Sequence, residues 1–527
     1  MRRFNVTGVC VPEKHYMVDI SGKLSIIKEM VDYGDYFAIN RARQYGKTTT
    51  LSLLEKMLEG EYIVVSISFE GLGDESFETS AAFSRAFMKA VQRALSFTDA
   101  SEKYKQSWLD EDVMDFDELS HHITEMCNPD SVGFDKKLVL MIDEVDKASN
   151  NRTFIHFMGI LRDKYLKREQ KRDHTFKSVI LAGVYDIKNI KLKMINEGIH
   201  MPAAAENKIY NSPWNIAADF EVDMSFNPAE IATMLADYET ENNTGMDIRL
   251  IADELYGYTS GYPYLVSRIC KHIDEKLSKD WTPDGVREAV KIIRTEKTTL
   301  SDDMIKNLEN SAELHGFTHS LLIEGETKRY IIHDPVIESG VRYGFFSNAG
   351  GTVAISNRIF ELLMADYFIS KDLRGKKHVN GVLQRDIVQG SRFDMELCLC
   401  KFAEHYAKIF NNDDIEFLEK HGRLIFLSYL LPLINGEGFY HMESQLTDLR
   451  RMDLVVDYGK DQFILELKIW RGVQYEKEAL EQLCGYLDSK GADTGYLLAF
   501  DFRKSENKTP KTEWVEINGK RIFETMV

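Results

Sequence analysis

Three consecutive residues, Gly46, Lys47 and Thr48, have the types and the order that phosphate binding requires. They stand between a short apolar segment, 36–40, typical of a strand, and a segment, 48–58, whose apolar residues repeat with a helical period. At such a turn, backbone N–H groups at a helix N-terminus face a phosphate chain, the lysine reaches the outer phosphates and the hydroxyl holds magnesium. Because this tripeptide is common by chance, the prediction needs a second signal.

The second signal is an acidic pair, Asp143 and Glu144, which follows the apolar run LVLMI at 138–142. Such a run predicts a strand buried on both faces of a parallel sheet, and open α/β sheets bind ligands at the carboxyl ends of their strands. Asp143 is then a magnesium ligand beside Thr48, and Glu144 polarises the attacking water. The alternative is an ordinary strand that ends in an acidic turn. Together, the two signals predict a nucleoside triphosphatase site that uses ATP and Mg²⁺.

A second candidate site lies near the end of the chain, at Asp453, Glu466 and Lys468. Segments 452–456 and 463–470, joined by a Tyr-Gly-Lys-Asp turn, predict a hairpin in which strand alternation places Glu466 and Lys468 on one face, within reach of Asp453. Two carboxylates that hold one or two magnesium ions, with a lysine that stabilises developing charge, suit phosphodiester hydrolysis. Manganese is an alternative metal here.

A predicted helix downstream of this hairpin places Gln482 and Tyr486 on one face, four residues apart. The strand at 495–502 then completes an order of helix, three strands, helix and strand. The alternative for the whole region is a sheet whose polar residues lie on its solvated face.

Length and composition limit the class of protein. A chain of 527 residues is too long for one core, and 44% hydrophobic with 28% charged residues is ordinary for a globular protein. The net charge of −18 argues against a surface coated for nucleic-acid binding, although it permits a local basic cleft. The six cysteines have no disulfide-framework or zinc spacing. Without a visible signal peptide or an apolar run long enough to span a bilayer, we expect a cytoplasmic protein with no membrane contact.

Changes in pattern divide the chain into four predicted domains. Alternating strands and helices over 1–225 predict an α/β core, and capped helices over 226–300 predict a helical region, which becomes a helical lid only through the family resemblance given below. Helices followed by a Gly350-Gly351 hairpin predict a winged-helix-like module over 301–370. A charged linker candidate, 370–381, leads into the C-terminal α/β domain, 371–527.

The N-terminal part resembles the bacterial AAA-ATPase-like family. Members often begin with Tyr-x-Val-Asp-Ile, which is here Tyr16, Val18, Asp19 and Ile20, and they carry an arginine-rich loop with arginine in place of the first glycine. The resemblance implies a P-loop NTPase fold of the AAA-like type. It also implies ATP contacts from the whole loop and the acidic strand end: Arg41, Arg43, Gln44, Tyr45, Gly46, Lys47, Thr48, Thr49 and Asp143.

The tail resembles the PD-(D/E)xK nuclease superfamily. Asp453 matches the Asp of the motif, Glu466-Leu467-Lys468 matches (D/E)xK, and Gln482 with Tyr486 matches the Gln/Tyr signature of RecB-like members. The resemblance implies a nuclease-like α/β domain in which Asp453, Glu466, Lys468 and Gln482 are catalytic and nucleic acid is the partner. A further Glu is expected in its first helix, and Glu404 and Glu419 remain alternatives.

Two further features resemble nucleotide-sensing parts of such ATPases. Asp186, after the strand at 178–184, stands where a phosphate-sensing residue is expected, with a plain turn as the alternative. Gly261-Tyr262-Pro263 resembles the Gly-x-Pro turn of a lid domain and would bring Arg268 to the nucleotide, unless it simply starts a helix.

These patterns lead to one function and two alternatives. The principal hypothesis is an ATP-binding and ATP-hydrolysing switch that controls a metal-dependent nuclease in the same chain. In the first alternative the tail binds nucleic acid or acts as a scaffold without cleaving. In the second the chain is a signalling ATPase whose winged-helix-like module binds proteins. A homo-oligomer is an additional expectation.

Overall fold

The computed structural model describes residues 2–108, 115–131, 134–148, 151–184, 214, 216–323, 326–372, 387–389, 392–409, 425–427, 429–431, 433–434, 438–441, 454–470, 473–501 and 511–527. The chain divides into two compact units. One contains Met1–Leu300, Ser339–Phe345 and Asn357–Ile359, and the other contains Ser301–Glu338, Phe346–Ser356 and Phe360–Val527.

A four-stranded parallel sheet forms the centre of the first unit, as the α/β prediction requires. Its strands are β1 (Tyr36–Asn40), β2 (Ile63–Ser68), β3 (Leu138–Asp143) and β4 (Ser178–Gly183), in the order β1-β4-β3-β2. Every residue of β3 and β4 is buried, which explains their continuous apolar sequences.

Helices cover both faces of this sheet. On one face, α1 (Ser21–Tyr33) and α2 (Lys47–Leu58) pack their apolar stripes on the strands. On the other face, an aromatic-rich core is shared by α3 (Ser80–Leu95), α4 (Glu102–Ser107), α5 (Phe116–Met126) and α6 (Arg152–Glu169). Short 3₁₀ turns span Phe69–Gly71, Asp74–Phe77 and Val145–Ala148.

Among the described residues of the first unit, the helices that follow the sheet are α7 (Pro228–Asn242), α8 (Ile248–Thr259), α9 (Pro263–Lys276) and α10 (Pro283–Thr295). The predicted N-caps are confirmed. Asn227 and Glu230 form a reciprocal capping box at α7, and the Thr282 side chain accepts the Gly285 N–H at α10. Proline at the first position of α7, α9 and α10 loses no helical hydrogen bond there.

The next part of the chain contains α11 (Thr299–Glu309), α12 (Ala312–Leu322), α13 (Pro335–Arg342), the hairpin β5 (Phe346–Ala349) and β6 (Thr352–Ile355), and α14 (Arg358–Asp372). The predicted turn at Gly350-Gly351 is confirmed, since both glycines have positive φ between the paired strands. The assignment of this segment as a winged-helix-like domain, and the four-domain division as a whole, stay predictions.

A six-stranded mixed sheet forms the C-terminal part, in the order β13-β14-β12-β11-β10-β9. Its neighbours β11, β12 and β14 run parallel, and the other pairs are antiparallel. The elements are β7 (Val388–Gln389), β8 (Arg392–Phe393), α15 (Met395–Ile409), β9 (Gly438–His441), β10 (Leu454–Tyr458), β11 (Asp461–Ile469), α16 (Val473–Lys490), β12 (Thr494–Phe500), β13 (Lys511–Ile517) and β14 (Lys520–Met526). The predicted hairpin is confirmed, because Tyr458 pairs with Asp461 across its turn.

Candidate functional site

The Gly-Lys-Thr turn lies between β1 and α2, as its sequence predicts. Gly46 has φ +78°, a conformation that favours glycine, and α2 begins at Lys47. The Lys47 ammonium donates to the carbonyls of Arg41 (3.0 Å) and Ala42 (3.1 Å). Burial lowers the pKa of Lys47, whereas the nearby Glu144, Asp146 and Asp143 carboxylates act in the opposite direction. The lysine is therefore a buried cation held inside the loop by backbone oxygens.

The predicted magnesium ligands lie together. The Thr48 hydroxyl donates to Asp143 Oδ2 at 2.7 Å, and Asp143 is the last residue of β3 and is buried. A hydroxyl and a carboxylate are the hard oxygen donors that Mg²⁺ prefers, so this pair fits the ion. A cluster of three or more His, Cys, Asp or Glu side chains with metal-binding geometry is absent from the described residues. Magnesium that binds mainly through nucleotide phosphates and water needs no such cluster.

Glu144 lies directly after this strand end in a left-handed conformation, with φ +53°. Its N–H donates to Asp143 Oδ1 at 2.9 Å, which orients the aspartate carboxylate for Thr48. Burial and the adjacent Asp143 charge raise the pKa of Glu144. A residue other than glycine in this conformation costs free energy, and such backbone outliers concentrate at functional sites.

Asp146 is a third carboxylate of this site that sequence reasoning missed. Its Oδ2 accepts the Val184 N–H at 2.6 Å, and a Cβ at Gly183 would lie 2.9 Å from its Oδ1. Asp146 thus ties the end of β4 to the turn that follows β3 and adds negative charge near Lys47. In the sequence, Asp146 is visible as the last residue of the run Asp-Glu-Val-Asp, but the run does not indicate that its partner is the Val184 N–H.

The two arginines of the loop have different surroundings. Arg41 stands at the position of the usual first glycine. Its guanidinium donates to the carbonyls of Asn40 (2.9 Å) and Val222 (2.8 Å) and packs on Phe220. Its hydrogen bonds thus go to the backbone at the edge of the sheet. Arg43, in contrast, is exposed.

Gln44, Tyr45 and Thr49 make contacts that reach other parts of the unit. Gln44 Nε2 donates to Thr299 Oγ1 (2.8 Å), and the Tyr45 hydroxyl shares a hydrogen bond with Ser225 Oγ (2.7 Å). Thr49 Oγ1 accepts the Cys10 N–H at 3.1 Å. These three side chains therefore connect the loop to its surroundings.

A cavity of about 530 Å³ adjoins the loop, a volume typical of small-molecule sites. Its wall includes loop residues from Gln44 to Gly46 and residues that sequence reasoning had not assigned to the site, among them Asn5, Thr7, Lys23, Phe226 and Lys297. The N-terminal segment thus supplies one wall of the cavity. No local motif predicts that the N-terminal segment lines the cavity, because the segment contacts the loop only through tertiary packing.

The Tyr-x-Val-Asp-Ile segment now has a structural explanation. The Tyr16 hydroxyl donates to Glu241 Oε2 on α7 at 2.6 Å, and its ring packs against those of Phe4 and Tyr238, which also contact each other. Val18 and Ile20 line the cavity. The motif therefore anchors the N-terminal segment to helix α7 beside the cavity.

The Gly261-Tyr262-Pro263 turn also borders the cavity. Gly261 has φ +73°, and a Cβ there would lie 1.9 Å from the Phe226 carbonyl oxygen, so only glycine fits. The Tyr262 hydroxyl donates to the Arg43 carbonyl, and Pro263 begins α9 and lines the cavity with Arg268. This turn therefore brings α9 against the loop, while its role as a lid turn and the contact of Arg268 with a nucleotide stay predictions. Asp186 lies outside the described residues.

The C-terminal candidate site centres on β11. Glu466 is fully buried, and its Oε1 lies 2.8 Å from the Lys468 ammonium, whose side chain is 39% exposed. Ile464, on the same face of β11, packs with Leu483 and Tyr486 of α16. Helix α16 therefore covers the face that carries Glu466, which is not the solvated face of the alternative prediction.

The other predicted residues of this site are only partly described. Gln482 is half-buried and Tyr486 is buried, both on α16. Glu404 lies on α15 and ion-pairs with Lys401 at 3.1 Å. Asp453 and Glu419 lie outside the described residues, so the convergence of Asp453 with Glu466 stays a prediction.

A parallel sheet, a Gly-Lys-Thr turn and an acidic strand end define a nucleotide-binding protein of the P-loop ATPase-like class. The AAA-like domain family matches residues 9–283, more than half of the chain, and the chain belongs to that family. The match ends before the C-terminal sheet, so the nuclease-like identity of that sheet stays a prediction. No curated protein matches the chain.

Several solved structures resemble the chain at low identity. A Walker-type ATPase of Pyrococcus abyssi is 11% identical over 68% of this chain and 99% of its own, with a TM-score of 0.46. The RuvB Holliday junction branch migration motor of Thermotoga maritima is 12% identical over 66% and 95%, with a TM-score of 0.34. The ORC2 protein of Aeropyrum pernix, with ADPNP and ADP, is 11% identical over 71% and 98%, with a TM-score of 0.36. Likeness at this level transfers no residue roles.

None of the described helices combines the length and the apolar character needed to cross a bilayer. The six cysteines, all within the described residues, are free thiols.

Proposed function

We propose that the first unit binds and hydrolyses ATP, with Lys47, Thr48, Asp143 and Glu144 as the working residues. The observation that carries the proposal is the 2.7 Å hydrogen bond from Thr48 to Asp143 beside the buried Lys47 ammonium. It supports a site in which separate elements bring one cation and hard oxygen donors to the end of the sheet.

Each residue has a role that follows from its chemistry. Lys47 exchanges its carbonyl partners for the outer phosphates, and the backbone N–H groups at the start of α2 face the same charge. Thr48 and Asp143 hold magnesium, which when bound neutralises charge that develops on the phosphoryl oxygens. Glu144 accepts a hydrogen bond from the attacking water. The loop that surrounds the phosphates contains Arg43, Gln44, Tyr45 and Thr49. Arg41 stabilises this loop through its hydrogen bonds to the Asn40 and Val222 carbonyls.

The test of this assignment is ATP turnover by the full chain with and without a chelator. Lys47→Ala is expected to abolish turnover and to weaken ATP binding, because the loop loses its positioned ammonium. Lys56→Ala, on the same helix, is the matched control and should behave as wild type. Undiminished turnover in Lys47→Ala would show that this loop is not the site.

For the second unit, we propose a metal-dependent nuclease site formed by Asp453, Glu466, Lys468 and Gln482. The buried Glu466, the adjacent Lys468 and the covering helix α16 support it, together with the strand order β9-β10-β11-β12. A bound metal ion would stabilise charge on the scissile phosphate. Because the fit of a metal depends on Asp453, outside the described residues, no further step is assigned to it.

A second candidate function makes this region a nucleic-acid-binding or scaffolding module that does not cleave. The observation in its favour is the 2.8 Å Lys468–Glu466 ion pair, in which the two groups neutralise one another. A cleavage assay with labelled DNA and RNA in Mg²⁺ or Mn²⁺ separates the candidates. Chelator-sensitive cleavage that disappears in Asp453→Ala, Glu466→Ala and Lys468→Ala supports the nuclease, and binding without cleavage supports the module.

The proposed control of the nuclease by ATP has its own test. Glu144→Gln, which binds ATP without efficient hydrolysis, should differ in cleavage rate or nucleic-acid affinity with and without ATP, whereas Lys47→Ala should not respond. Linkage then requires nucleic acid to change the affinity for ATP by the same factor. Coincident curves for all variants would mean that the two activities are independent.

A further inference from the structure

A carboxylate outside the loop, Glu296, makes the closest contacts to the arginine in the cavity wall. Glu296 is the C-cap of α10, and Arg268 lies on α9. Arg268 Nε donates to Glu296 Oε1 and Arg268 Nη2 to Oε2, both at 2.7 Å. The side chains are 19% and 16% exposed, so this two-point pair is shielded from solvent. Such a pair fixes both the position and the plane of the guanidinium.

The surroundings of Glu296 keep it negatively charged. Burial opposes ionisation, but hydrogen bonds from Arg268 and His272 lower the pKa of Glu296 overall. His272 Nε2 lies 3.0 Å from Oε1, and Lys276 lies 3.9 Å from Oε2. Burial lowers the pKa of His272, which therefore acts as a neutral hydrogen-bond donor near neutral pH. Arg268 is thus the principal cation that Glu296 holds.

The residues after Glu296 extend its influence to the loop. Lys297, Thr298 and Thr299 line the cavity, and Thr299 Oγ1 accepts the hydrogen bond from Gln44. Glu296 therefore connects two parts of the cavity wall. One part carries Arg268, and the other continues through Thr299 to the Gly-Lys-Thr loop. Sequence reasoning gave no indication of this, since Glu296 is 28 residues from Arg268.

We propose that Glu296 is a positioning residue of the nucleotide site, which holds the Arg268 guanidinium in the cavity wall so that its remaining N–H groups meet the nucleotide phosphates. Arginine has five N–H donors, and Glu296 occupies two of them. Phosphate is the natural ligand of the others, because planar guanidinium groups match it in charge and geometry. This inference rests on the proposed ATP site, to which it adds Glu296 as a residue that acts through Arg268.

The test is a double-mutant cycle on the full chain, read as the affinity for ATP that carries a fluorophore on its ribose. Arg268→Ala and Glu296→Ala should each weaken binding by about tenfold to a hundredfold, the usual loss for a charged hydrogen bond. Glu296→Ala should add less than about twofold in the Arg268→Ala background, because its effect passes through that arginine. Glu296→Gln, which keeps the shape and one acceptor, should restore part of the loss.

Competition by unlabelled adenosine separates positioning from a general structural role. A guanidinium that meets phosphates affects ATP and leaves adenosine affinity unchanged, whereas a collapsed cavity weakens both. Glu288→Ala is the matched control, since Glu288 also lies on α10 and pairs with a surface lysine, Lys291, at 2.6 Å. That variant should bind ATP as wild type does.

The outcomes distinguish this inference from the proposed function. If wild type binds ATP and Lys47→Ala does not, the site stands, and additive effects of the Arg268 and Glu296 substitutions would overturn the positioning role alone. Parallel losses for ATP and adenosine would overturn it as well. If wild type binds no ATP, the proposed function itself fails.

Discussion

The two candidate sites both combine a lysine with carboxylates, yet they hold these charges differently. In the first unit, Lys47 is held by backbone carbonyls, and Asp143 accepts from a hydroxyl and an N–H. In the C-terminal sheet, Lys468 is held by Glu466 itself. Neutral partners leave the charges of the first site available to an anionic ligand and its metal ion. In the second site, any ligand must compete with an ion pair.

This comparison predicts the largest effect at Glu144, where hydrolysis depends on a carboxylate that the fold holds next to Asp143. Glu144→Gln should slow ATP hydrolysis by about a hundredfold or more while the affinity for ATP stays unchanged, because a general base is lost and the phosphate contacts are not. Single-turnover kinetics and equilibrium binding measure the two quantities. Glu70→Gln, an exposed neighbour that also influences the Glu144 carboxyl, is the control. Equal losses in both variants would mean that net charge, not position, decides the rate.

A smaller effect on local stability should separate the two lysines. Lys468→Met removes the ammonium that lies 2.8 Å from the buried Glu466 carboxylate and should destabilise the C-terminal sheet by about 2 kcal/mol, less than the loss of a fully buried pair because Lys468 is partly exposed. Lys47→Met removes a cation that donates hydrogen bonds to carbonyls and lies near the Asp143, Glu144 and Asp146 carboxylates. Because burial outweighs these charges and lowers the pKa of Lys47, its removal should change stability by less than about 1 kcal/mol. Hydrogen exchange of β11 and α2 in the full chain gives both values. The reverse order would contradict the comparison.

The last prediction concerns the pH dependence of a second buried carboxyl in the C-terminal sheet. Burial and the adjacent Glu476 raise the pKa of Glu524, on β14, to about 7, although Lys511 opposes this and Glu513 adds to it. A pKa above that of the unfolded chain means that the protonated form stabilises the fold, and this contribution is lost as pH rises through about 7. Exchange protection of β12 and β14 should therefore decline as pH rises from about 4.5 to about 7 and then level off.

Glu524→Gln keeps a neutral side chain at this position and should remove that decline. Glu516→Gln, an exposed acid on the adjacent strand β13, should retain it. A decline that persists in Glu524→Gln would assign the titration to another group.

Much of the first site was predictable from sequence because its parts are local. The strand before Gly46, the helix after Lys47 and the apolar run before Asp143 are each encoded by a short pattern, and a parallel sheet then brings the carboxyl ends of its strands to one edge. The caps at Asn227 and Thr282 and the turn at Gly350-Gly351 were predictable for the same reason. Hydrogen bonds within a few residues require no knowledge of distant packing.

The sequence by itself thus determined the elements and the residue types available at their ends. Tertiary structure decided which partner each charged side chain meets: Arg41 turns to Val222, Arg268 is held by Glu296, and the N-terminal segment lines the cavity. It also decided that Glu466 is buried beneath α16. Strand alternation places a side chain on a face, but only the packing of a distant helix determines whether that face meets solvent, because periodicity is a local property and burial depends on contacts far apart in the chain.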